Sequence, residues 1–188
     1  MDVLAGRQQF KRLKEEIPRL SRQARPPLAA ACVSRIMPIL SNHFGNTELF
    51  ERALNLCWCF AAGEPVDVAV NKEVFAECDA KVDLLNADDQ RGCTLAAVNT
   101  VIYALRSTYE PEAENSFDPT LQAQDAARGD ASDDKESDAH LVEEADWQMK
   151  ALDLISKTPP PYAKTWFREI DIEPKLNRKA SNEPARAR

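Results

Sequence analysis

Glycine is scarce, with 5 residues in 188. Hairpins and phosphate-binding loops consume glycine, so a sheet-and-turn protein is not expected. No G-x-G-x-x-G or G-x-x-x-x-G-K occurs, which leaves nucleotide cradles unsupported. Histidine is scarcer still. His43 and His140 are the two present, and neither stands in an H-x-x-x-H or E-x-x-H pattern. A helical di-metal site needs a Glu-x-x-His pair from each of two helices, so that class is excluded. No segment approaches the roughly 20 apolar residues that cross a bilayer. The opening "MDVLAGRQQFKRLKEE" has no unbroken apolar stretch, so a secretory signal is not expected. These absences predict a soluble, cytoplasmic chain.

The cysteines number five, an odd count that cannot pair fully within the chain. Without an export signal, free thiols in a reducing compartment are expected. Cys32, Cys78 and Cys93 show no C-x-x-C spacing. Cys57 and Cys59 flank Trp58 in "LNLCWCFAAGEP". Neighbours two apart on a helix point about 200° apart, so this pair cannot clasp one ion or close a disulfide. Core packing is the reading, with Trp58 as a large apolar anchor. Cys93 is a nucleophile candidate if His43 meets it in space.

What the chain has is alanine, leucine and glutamate, with an apolar fraction of 44%. These favour helices. Leu4, Phe10, Leu13 and Ile17 predict a first helix over 2–17, ending at Pro18. A second starts near Pro26 and Pro27. Ala29 to Val33 is apolar on every side, which marks a central helix, and Pro38 should kink or end it. In "NTELFERALNLCWCFAAG", Asn46 or Thr47 caps a third helix that Gly63 stops. A fourth, about 67–86, carries Val70, Val74, Phe75, Cys78, Val82 and Leu85 on one face. "NADD" caps a fifth, about 88–108, with Leu95, Val98, Ile102 and Leu105 in a stripe. Its polar exception, Asn99, reads as a hydrogen bond to a neighbouring helix. A sixth, about 138–156, buries Leu141, Val142, Ala145, Met149, Leu152 and Ile155, with Trp147 at its edge. The fold class is therefore all-α, a compact bundle of five to seven helices.

Charge is unevenly placed within the net −7. Residues 110–146 hold thirteen carboxylates against two cations. Over 110–140 large apolar residues nearly vanish, which predicts a mobile acidic insert with a weak helix near 119–128. "KTPPPYAKTWF" breaks helical order, so the domain is set at 1–157 and a Pro-rich basic tail at 158–188. "YAKTWF" is the tail's sticky spot, docking on the body or on a partner. Basic residues cluster at both ends, as Lys11, Arg12, Lys14, Arg19, Arg22 and Arg25, and as Arg178, Lys179, Arg186 and Arg188. The acidic body between them would repel phosphates, so a nucleic-acid partner is not expected. Glu73 with Glu77, and Asp79 with Asp83, are spaced i, i+4 and read as a solvated face.

"PLAAACVSRIMPIL", followed by "LFERALNLCWCFAAGEP", resembles an all-helical bacterial family of immunity proteins from polymorphic-toxin loci. It is also similar to a related helical family of unknown function. The likeness lies in the alanine-rich helix ending in Arg35, Ile36, Met37 and Pro38, and in Trp58 with the closing Gly63. "CTLAAVNTVIYAL" and "EEADWQMKALDLI" extend it, to cover about 26–109 and 141–155. Ser34 stands where the family places an acidic residue before the arginine. The resemblance implies a non-enzymatic protein, without cofactor or metal, that binds and neutralises a cognate toxin. It supplies no binding residues. An acidic surface suits a cationic partner, which points to Glu110, Glu112, Glu114, Asp118, Asp133, Asp134, Glu136 and Asp138 as partner contacts. A helical adaptor without a toxin partner is the alternative reading.

Overall fold

A computed structural model describes residues 3–21, 24–86, 92–109, 118–129 and 134–162. Among them the chain forms seven α-helices and one 3-10 turn, and no strand. The helices are α1 (Val3–Glu16), α2 (Arg25–Phe44), α3 (Glu48–Ala61), α4 (Val68–Asn86), α5 (Gly92–Tyr109), α6 (Asp118–Gly129) and α7 (Asp134–Lys157).

Helix α2 is central, as its all-round apolar sequence requires. It packs against α3, α5, α6 and α7, and Ala30, Ala31, Cys32, Val33 and Leu40 are fully buried. Of the two outcomes expected of Pro38, a kink or an end, the helix does not end there: it runs to Phe44. A mid-helix proline costs about 3 kcal/mol. Ile36 and Ile39, on either side of it, are both buried in the one core, and that packing outweighs the missing bond. Gly45, at φ +69°, ends the helix where a side chain would be strained. Asn46 Oδ1 then accepts the Glu48 N–H at 2.9 Å and caps α3. Gly63, at φ +76°, follows the end of α3 as expected.

Helix α4 buries a narrower face than its sequence suggests. Val74, Cys78 and Leu85 are buried, but Val70 is 39% exposed. Asn71 takes the inward position instead, because its side-chain amide donates to Thr108 Oγ1 on α5. Asn99, expected to bond a neighbouring helix, is half-buried; the fully buried interhelical amide here is Asn71.

The acidic segment requires the largest correction. The weak helix expected near 119–128 is present as α6, but it packs into the core rather than lying in a mobile insert. That helix forms the most extensive helix pair of the fold, with α5. Its inward face is Thr120, Ala123, Gln124, Ala126 and Ala127. Small residues let two backbones approach closely, so burial here needs no large apolar side chain. Residues 110–117 and 130–133 lie outside the described residues. Beyond α7, Tyr162 is 3% exposed and joins the core cluster, with its N–H 3.4 Å from Ala61 O. The sticky spot thus docks on the body at its first residue.

Candidate functional site

The most concentrated polar chemistry lies where α2, α6 and α7 meet. Arg35 on α2 donates from Nε to Glu144 Oε2 at 2.8 Å. Both side chains are buried, at 6% and 2% exposure. Trp147, one turn along α7, lies under the guanidinium, 4.5 Å from ring centroid to Cζ. It is 5% exposed, well inside the edge position assigned from sequence. Ser34, beside the arginine in sequence, donates back to Ala30 O at 3.0 Å. The arginine's counter-ion comes from 109 residues away in sequence.

Glu144 is held from its other side. Gln148 Nε2 donates to Glu144 Oε1 at 3.1 Å and to Thr120 O on α6 at 3.0 Å. Gln124 Nε2 donates to Gln148 Oε1 at 2.7 Å. At the far end of α6, His140 Nδ1 stands 3.1 Å from Ala127 O. On the opposite flank of α7, Gln9 donates to Asp146 and ties in α1. Burial pushes the Glu144 carboxyl above its usual range, while Arg35 and the two hydrogen bonds draw it back. The cluster has no solvent-facing reactive group. Its chemistry is registration: Arg35 fixes α7 against α2, and Gln124, Gln148 and His140 fix it against α6.

Periodicity did not reveal this set. Glu144 and Gln148 are spaced i, i+4 in a helix otherwise read by its apolar stripe. The apolar stripe left them unread, and each has a partner on another helix.

Of the expected partner residues, Glu110, Glu112, Glu114 and Asp133 lie outside the described residues. Asp118 opens α6, while Asp134 and Glu136 fall in the first turn of α7. Asp138 is half-buried on α7. Carboxylates in a first helical turn are favoured by the helix dipole, by about 0.3–1 kcal/mol each.

All five cysteines are free. Cys57 is buried and Cys59 half-buried, as their opposed directions require. Cys93 Sγ stands 4.0 Å from the Thr94 hydroxyl. His43 lies edge-on to Phe44 at 4.6 Å. Burial raises Cys32 and Cys57 well above the usual thiol value and pushes Cys78 up to about 12. Unfolded thiols ionise near 9.0, so above that pH the folded chain keeps protons that the unfolded chain releases. Stability should therefore fall as pH rises past 9.0, by up to about 1.4 kcal/mol per pH unit for each buried thiol. Urea midpoints taken at about pH 8 and about pH 10 measure this. Cys57→Ala should show a shallower fall than the parent; equal slopes would place the Cys57 thiol in contact with water.

Glu73, Glu77, Asp79 and Asp83 are exposed on α4, and Glu77 Oε1 meets Arg52 Nη1 at 3.5 Å. Among the described residues no group of three or more His, Cys, Asp or Glu side chains is arranged to hold a metal ion, and no helix is long and apolar enough to cross a membrane. Comparison of the chain with family models, with curated proteins and with solved structures gives no match.

Proposed function

We propose that this protein is a non-enzymatic immunity protein that binds and neutralises a cationic toxin or effector protein. One observation carries the reading: the carboxylate-rich stretch of the sequence is interleaved with two helices, α6 and α7, that are fastened to the core. Gln124, Gln148 and His140 lock these helices together. Acidic residues at the start of α6 and α7 therefore sit on a preorganised frame, which lowers the ordering cost of binding. Opposite potentials also speed encounter with a basic partner. The sequence resemblance supplies the class of partner.

The test is to identify the neighbouring genes and co-express the chain with any toxin-domain protein that one of them encodes. Cells making both should survive, and the two proteins should co-purify. Replacing Asp133, Asp134, Glu136 and Asp138 with Asn or Gln should slow association and flatten its salt dependence, with the melting temperature little changed. An association rate unaltered at low ionic strength would remove these residues from recognition. Death of cells despite folded, abundant protein would favour the adaptor reading.

A further inference from the structure

One surface among the described residues combines a groove with an exposed apolar side chain. The C-terminal end of α2, the first turns of α3 and the outer face of α4 enclose a groove of about 540 Å3. Phe44, Leu49 and Ala80 line it. Leu84 stands at its margin on α4 and is 65% exposed, the most exposed large apolar side chain among the described residues. The same face thus carries an apolar hole and, beside it, an apolar knob.

The charges in the lining are balanced. Glu48 and Glu77 face Arg52 and Lys81. A groove meant for a basic segment would show an excess of carboxylates, and this one does not. Balanced charge is what a surface needs to match itself. The order along α4 gives the direction. Glu73 and Glu77 occupy the N-terminal part of the outer strip, and Lys81 and Leu84 the C-terminal part, with small Ala76 and Ala80 between. Such a strip meets its own copy favourably only when reversed. Antiparallel apposition sets Glu77 of one copy against Lys81 of the other, and carries each Leu84 toward the groove of its mate.

We propose that this face is a two-fold contact between two copies of the chain, with Leu84 as its apolar anchor. One strip and one knob per copy make a modest interface, so dissociation in the roughly micromolar range is expected. The proposal is independent of the toxin reading.

Light scattering coupled to size exclusion, run on the full chain from low to high micromolar concentration, tests it. The mass should rise from one chain to two. Leu84→Asp should leave one chain throughout while keeping its helical circular dichroism, because the position is exposed and the core is untouched. Lys81→Glu and Glu77→Lys should each weaken the dimer by roughly tenfold or more. Mixing these two variants should restore it, because their strips are complementary only to each other. A single-chain mass at every concentration overturns the proposal. So does a dimer indifferent to Leu84→Asp, or folded charge variants that fail to associate when mixed.

Discussion

Glu144→Ala is expected to destabilise the fold by about 3–5 kcal/mol, because it leaves the Arg35 guanidinium buried without its counter-ion. Arg35 is 5% exposed and cannot reach water to recover its hydration. Its face rests on Trp147, and its Nε has lost the acceptor at 2.8 Å. Gln148 loses an acceptor as well. For a domain of this size each kcal/mol lowers Tm by about 2–4 °C. The loss should be plain in a thermal scan and in a urea midpoint. The double substitution Arg35→Met with Glu144→Leu removes both charges together and should recover most of it. That asymmetry separates a pair that fixes register from a pair that adds net stability. Burial's upward push on Glu144 marks the cost that the pair's attraction has to offset. If Glu144→Ala unfolds at the parent's midpoint, then Arg35 finds another partner or water.

Trp58→Ala is expected to cost a comparable 3–5 kcal/mol for a different reason. Trp58 is 6% exposed in the second half of α3, which packs on α2, α4 and α5. Truncation removes the apolar surface of an indole and leaves a void that three helices cannot close without moving. The control is Cys59→Ala, one residue on and half-buried, which should change the midpoint by much less. Trp58→Phe should fall between the two. An unchanged Tm for Trp58→Ala would show the indole free of the core and recommend it as a partner contact. Native stabilities run from about 5 to 15 kcal/mol, so Glu144→Ala combined with Trp58→Ala should remove a large part of the chain's stability. Both sites pack on α2, so comparing the double variant with the two single ones measures their coupling through that helix.

The sequence by itself determined the helical class and the positions of α2, α3, α4, α5 and α7. In each, apolar residues recur at three-to-four spacing, and that period is a local property of the chain. It also determined that Cys57 and Cys59 diverge and that Gly63 follows the end of α3, since both follow from backbone geometry alone. Helix α6 was legible as a weak helix near 119–128, but its burial was not, because its buried face is alanine, threonine and glutamine. Their burial depends on how closely α5 approaches, and no local pattern states that. Helix α2 continues through Pro38 because distant parts of the chain pack on both of its halves. Val70 faces outward because Asn71 finds Thr108 on α5 and turns α4 that way. Arg35 lacks an acid beside it in sequence, and the acid it uses is carried on the last helix. Local structure needs only neighbours along the chain. The pairing of buried charge, the burial of small residues and the docking of Tyr162 needed the whole tertiary structure, because each depends on groups far apart in sequence arriving at one place.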